Sequence, residues 1–141
     1  MAAQNKDVVT TLEEFYAKAP ALPKNAKDLL VQFLPWIALI FGILGIIGGL
    51  GVVGVSPLAA LGGFHTAINV LIGGILTIIS SVLLLMAYPG LNKHLQTGWK
   101  YSFWSEAVSL VGSLIAGSIV GGIIGALIVY YLLFQVKSYY K

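Results

Sequence analysis

Glu106 is the only acidic residue of this 141-residue chain that is predicted near membrane depth, and it is the first candidate for chemistry. A carboxylate in such a place could bind a proton, a cation or a cationic substrate, because ionisable residues in apolar spans usually mark functional sites. The alternative is an interfacial residue that reaches water or pairs with Lys93, Lys100 or Lys137. Trp104 is typical of headgroup depth. The sequence therefore favours an exposed Glu106 near a lysine-rich surface.

A second candidate is a series of polar and small residues at four-residue steps. Its members are His65, Asn69, Gly73, Thr77 and Ser81. On a helix this spacing places them along one face, where they could line a hydrated path. The alternative, which the sequence favours, is that these side chains hydrogen-bond to neighbouring helices.

Other kinds of site are not expected. The chain has no cysteine, which excludes disulfides, thiolate metal sites and cysteine nucleophiles. His65 and His94 fall in segments predicted at opposite ends of a span, so no metal site is expected. There is no Ser/His arrangement with an orienting carboxylate and no phosphate-binding G-x-x-x-x-G-K-[ST] motif. We expect no catalytic residue, no cofactor and no enzyme activity.

Composition indicates what surrounds these residues. Hydrophobic residues make up 58% of the chain and charged residues only 9%, against about 25% charged in a soluble domain. Residues 29–92 and 107–136 contain no Lys, Arg, Asp or Glu, and a bilayer-spanning helix needs about 20 mostly apolar residues. The lysines form no basic stripe, so no nucleic-acid partner is expected. The predicted fold is an all-α integral membrane protein with the lipid bilayer as its solvent.

The chain divides into two predicted regions. Residues 1–28 form an N-terminal segment with an amphipathic helix over 7–19, which either lies in the membrane interface or is a loosely packed extension. Residues 29–141 form a transmembrane helical domain. Its expected spans are 33–55, 65–88, 101–117 and 120–137, and the second ends before Pro89.

The number of spans depends on residues 102–136. A single helix of that length would be about 52 Å long, against a hydrocarbon core of about 30 Å. A turn within 117–122 gives four spans, and an unbroken helix gives three. Four spans place all eight lysines on one side, as the positive-inside rule requires. The sequence therefore favours a four-helix bundle with both termini and residues 91–100 on the cytoplasmic side.

Glycine spacing predicts where the helices touch. Gly45 and Gly49 form one G-x-x-x-G pair, and Gly117, Gly121 and Gly125 form two overlapping pairs. Small residues let backbones approach closely in lipid, where little hydrophobic force drives helices together. These glycines are expected at helix contacts, either within one chain or between copies.

Two functions are compatible with these patterns. The first is a small, non-enzymatic multi-pass membrane protein that acts by helix packing, self-association or association with a larger membrane assembly. The second is a small oligomeric transporter or channel that uses Glu106 and the His65–Ser81 track. The sequence favours the first, and its expected partners are a second copy or another membrane protein.

Overall fold

The computed structural model describes residues 8–140, and this part of the chain is helical with no β-strand. The helices are α1 (Val8–Tyr16), α2 (Lys24–Val55), α3 (Phe64–Asn92), α4 (Gln96–Ile115) and α5 (Ile119–Val136). Short 3-10 helices follow α2 and α5, at Leu58–Gly62 and Lys137–Tyr139. The all-α prediction is confirmed. Lys6, Asp7 and Lys141 lie outside the described residues, so the predicted roles of these residues are not addressed.

Three of the described helices are long and apolar enough to cross a membrane. They are α2, α3 and the stretch Ile119–Tyr139, which includes α5. Only 17% to 28% of the most apolar window of each is buried within the chain, so most of this apolar surface faces outward. Helix α4 has 20 residues, a sufficient length, but it carries Lys100, Glu106 and several serines. Its polarity separates it from the other three.

Helix α3 continues past Pro89, where the sequence predicted its end. Proline cannot donate a backbone hydrogen bond, but its carbonyl still accepts one from the Lys93 N–H at 3.1 Å. The helix stops at His94, whose φ of 56° lies in the left-handed region. The N–H of His94 bonds to the Leu91 carbonyl at 3.2 Å, and that of Leu95 to the Gly90 carbonyl at 2.7 Å. This pairing is the Schellman motif.

The same motif separates α4 from α5. Gly117 has a φ of 91°, and its N–H bonds to the Leu114 carbonyl at 3.2 Å. The N–H of Ser118 bonds to the Ser113 carbonyl at 2.8 Å. The interruption expected within 102–136 is therefore present, and a helix-stop glycine produces it.

The helices pack in chain order, α2 against α3, α3 against α4 and α5 against α4. Gly90 and Gly98 bring the end of α3 against the start of α4, since a Cβ on Gly90 would lie 2.5 Å from the Gly98 nitrogen. An aromatic cluster joins α4 to α5. Trp99 and Phe103 stack with centroids 5.6 Å apart, and the Trp99 Nε1–H donates to the Leu133 carbonyl at 2.8 Å.

Helix α1 docks on α5. Tyr16 is 7% exposed, its ring stacks on Phe134 at 5.5 Å, and its hydroxyl donates to the Leu127 carbonyl at 3.0 Å. Glu13 forms an ion pair with Lys137. The helix ends at Tyr16, before the end of the predicted 7–19, and its predicted start at Asp7 lies outside the described residues.

Candidate functional site

A cavity of about 460 Å³ lies among α2, α3, α4 and α5. Its polar lining consists of Glu106 and a set of hydroxyl side chains on α3 and α4, namely Thr77, Ser80, Ser81, Ser102, Ser105 and Ser109. Its apolar lining comes mainly from α2 and α5, namely Leu34, Ile37, Ala38, Phe41, Gly45, Leu84, Val129 and Leu133. The cavity therefore has one polar wall and one apolar wall.

Glu106 is half-buried and lines the same cavity as Thr77. The sequence placed it on the lysine-rich surface because of Trp104, and that expectation is wrong. The two residues point differently, since Trp104 is 50% exposed while Ser105 and Phe103 are buried. Residues that are two positions apart on a helix, such as Trp104 and Glu106, differ by about 200° around the helix axis. The exposure of Trp104 therefore does not indicate the direction of the Glu106 carboxylate.

Glu106 has no ion-pair partner among residues 8–140. The ion pair in this part of the chain joins Glu13 to Lys137, and no lysine within it lies within 4 Å of the Glu106 carboxylate. A carboxylate removed from water is costly unless it is paired, protonated or hydrogen-bonded. The Glu106 carboxyl group thus lines the cavity without an ion-pair partner from the described residues.

The hydroxyl groups of the polar wall are already engaged. Thr77 donates to the Gly73 carbonyl at 2.8 Å, and Ser81 donates to the Thr77 carbonyl at 2.6 Å. Ser105 donates across to the Ser80 carbonyl on α3 at 2.6 Å, which ties the two helices together. These three hydroxyls therefore donate their protons to carbonyl groups within the fold.

The predicted polar track is only partly assembled. Thr77 and Ser81 line the cavity with Glu106, whereas His65 and Asn69 do not. Gly73 is a contact residue, since a Cβ there would lie 3.2 Å from the Ala116 Cβ. Of the predicted track, Thr77 and Ser81 therefore line the cavity and Gly73 lies at a contact with the end of α4.

The serines of α4 were missed as site residues. Ser102, Ser105, Glu106 and Ser109 follow the i, i+3, i+4, i+7 spacing that defines one helix face. The sequence signal is present, but the four-residue steps of the serines group them with the packing glycines. A polar stripe with a carboxylate at its centre is the better description.

Two of the five predicted contact glycines lie at helix contacts in this chain. A Cβ on Gly49 would lie 2.6 Å from the Ile78 Cγ1, and one on Gly45 would collide with the Ser81 hydroxyl. Gly117, Gly121 and Gly125 have nothing within 4 Å of such an atom. Gly117 ends a helix. Contact of Gly121 and Gly125 with another copy remains a proposal.

The residues 8–140 contain no group of three His, Cys, Asp or Glu side chains that could hold a metal ion. What the cavity offers is a single carboxylate, hydroxyl oxygens and an apolar wall. In comparisons with known protein families, with curated proteins and with solved structures, the chain matches none.

Proposed function

We propose that this chain is a multi-pass membrane protein that binds a positively charged solute at Glu106 and moves it across the bilayer. The observation that carries the proposal is the placement of Glu106. It lines a cavity of about 460 Å³ and no basic residue among 8–140 pairs with it. Ionisable residues in such positions pair with each other or mark substrate and ion pathways.

The proposal includes four spans. The outward-facing apolar surfaces of α2, α3 and α5 support insertion, because water would be excluded from them in a bilayer. Helix α4 is proposed as the fourth span, although it is more polar. Its serines and Glu106 face the cavity or other helices, and the partners that shield them lower the cost of their transfer into lipid.

Uptake into proteoliposomes tests the proposed function. A panel of labelled monovalent cations, rubidium, methylammonium and tetrabutylammonium, would be offered to vesicles with and without protein. At least one is expected to enter faster with protein, and Glu106→Gln should abolish the difference because it removes the charge and keeps the shape. Glu14→Gln, an exposed carboxylate on α1, is the control and should transport normally. Equal uptake by the wild type and Glu106→Gln would contradict the proposal.

Self-association is a second candidate function, favoured by the surface of α5. A Cβ added to Gly121 or Gly125 would meet no atom within 4 Å, and Ile124 and Ile128 beside them are 53% and 56% exposed. Small residues flanked by exposed aliphatic ones allow two helices to approach closely. The mass of the purified protein in detergent should exceed one chain, and Gly121→Leu should reduce it. A monomer in every detergent and lipid nanodisc would exclude this function.

A further inference from the structure

We infer that the solute taken by the Glu106 cavity is a lipophilic monocation, one positive charge on an apolar body, which enters from the bilayer between α2 and α5. This inference rests on the proposed function and names its substrate class. It depends on three features of the cavity: the number of charges, the surface that the walls present, and the position of the mouth.

The charge of the cavity is a single carboxylate. Among residues 8–140, neither a second acidic side chain nor a basic one lines it. A monocation would neutralise Glu106 completely, whereas a dication would leave an uncompensated positive charge in an apolar environment. Charge complementarity therefore selects one positive charge on the ligand.

The walls are poor ligands for a bare inorganic ion. Such an ion needs a shell of oxygen atoms to replace its water. Ser80, Ser81, Ser102 and Ser105 are each only 5% to 6% exposed, so their oxygens offer almost no surface to a bound ion. The opposite wall consists of aliphatic and aromatic side chains from α2 and α5. This surface favours a ligand with an apolar body around the charge, since removal of that body from water is favourable.

The mouth of the cavity lies on the side of the proposed bilayer. Phe41 of α2 is 61% exposed and Val129 of α5 is 36% exposed, yet both line the cavity. Residues that line a cavity and also face outward mark where it reaches the surface. The volume of about 460 Å³ falls in the range typical of small-molecule sites. A lipophilic solute dissolved in the bilayer would reach Glu106 by this opening without crossing a polar loop.

Two quaternary ammonium ions of equal charge test the inference on the purified full-length protein. Tetrabutylammonium is expected to bind saturably, at least tenfold more tightly than tetramethylammonium, because only its butyl chains contact the apolar wall. Glu106→Gln should weaken tetrabutylammonium binding about tenfold or more, since a buried charge would lose its partner. Glu14→Gln should bind as the wild type does. Helical content and elution volume of each variant would show that it is folded.

A second pair of variants tests the mouth with the carboxylate intact. Val129→Trp fills the opening and should slow or weaken tetrabutylammonium binding. Ile128→Trp is the matched control, because Ile128 is the adjacent residue, is 56% exposed and does not line the cavity. Equal effects of the two tryptophans would overturn the proposed route.

The remaining outcomes separate the inference from the function on which it rests. If tetramethylammonium, methylammonium or rubidium binds with Glu106 dependence and tetrabutylammonium does not, the substrate class is wrong while the proposed function stands. If tetrabutylammonium binds equally to the wild type and Glu106→Gln, it only partitions into the apolar wall, and the inference fails. If no cation binds, both fail.

Discussion

Gly117 and His94 occupy equivalent positions at the ends of two helices. Because only one of them is a glycine, substitutions at the two positions should change stability in opposite directions. Both have positive φ, 91° and 56°, and both begin a Schellman motif. The left-handed region costs a residue with a Cβ about 1 kcal/mol or more, whereas glycine adopts it freely. Gly117→Ala should therefore lower the free energy of unfolding by about 1 kcal/mol, and His94→Gly should raise it by a similar amount.

Thermal or denaturant unfolding in detergent, followed by circular dichroism, measures both variants. Gly121→Ala is the control, because Gly121 lies inside α5 with open space around it and alanine suits a helix better than glycine does. The His94 ring also contacts Tyr140 edge-on at 6.0 Å. A loss of stability in His94→Gly would mean that this ring contact outweighs the backbone strain.

The sequence was sufficient to predict which residue types form the site, but not the direction in which their side chains point. The sequence identifies Glu106, Thr77 and Ser81 because charge and hydroxyl groups are rare in the apolar segments. Whether Glu106 faces outward or inward depends on the rotation of α4, which α3 fixes through the Ser105 bond to the Ser80 carbonyl. That contact joins residues 25 positions apart, and no local pattern specifies it.

The contact between α2 and α3 gives a prediction at the scale of helices. A Cβ on Gly49 would lie 2.6 Å from the Ile78 Cγ1 and 3.1 Å from the Gly74 carbonyl oxygen, while one on the adjacent Gly48 would meet nothing within 4 Å. Gly49→Leu should therefore force the helices apart and cost about 1–3 kcal/mol. Gly48→Leu should leave stability unchanged or increase it, because leucine is the better helix former. Equal unfolding midpoints for both variants would place Gly49 outside the interface.

The docking of α1 on α5 is tested by two neighbouring aromatic residues. Tyr16 is 7% exposed and Phe15 is 61% exposed. Tyr16→Ala removes the stack on Phe134 and the bond to the Leu127 carbonyl, and should weaken docking by about 3 kcal/mol. Trypsin cleavage after the exposed Lys18 should then be faster than in the wild type. Phe15→Ala should be cleaved at the wild-type rate. Faster cleavage of both variants would show that α1 docks through non-specific hydrophobic contact and not through the Tyr16 contacts.

Helix ends show why some elements were predicted and others were not. The four-residue step from Gly117 to Gly121 indicates a packing glycine, although glycine is also the usual stop signal of a helix. Pro89 indicates a stop, yet α3 runs on to Asn92. A glycine can pack against another helix or end its own helix, and a proline can end a helix or lie within it. The hydrogen bonds available to the last turn determine which occurs.

At the scale of the molecule, hydropathy indicates three spans, whereas the proposed arrangement has four because it includes α4, some of whose polar residues are covered by other parts of the protein. Hydropathy selects α2, α3 and Ile119–Tyr139, because it treats every residue as exposed to lipid. In α4 the polar residues Ser102 and Ser105 are 5% exposed, so contacts within the protein cover them. If α4 is a span, as we propose, hydropathy of the single helix would miss it, since the shielding comes from residues far away in the chain.

Cysteine accessibility decides between four spans and three. The natural chain has no cysteine, so single substitutions can be introduced at four exposed positions, Leu61→Cys, Lys93→Cys, Ser118→Cys and Ser138→Cys. With four spans and lysines on the cytoplasmic side, a membrane-impermeant maleimide applied to intact cells should label positions 61 and 118. Positions 93 and 138 should be labelled only after the membrane is opened.

If α4 does not cross the membrane, the segment after α4 stays inside and the end of α5 emerges outside. Positions 118 and 138 would then exchange their labelling, while positions 61 and 93 would be labelled as before. The two unchanged positions thus control for sidedness, and the exchange at 118 and 138 would exclude the four-span model and with it a membrane-embedded Glu106.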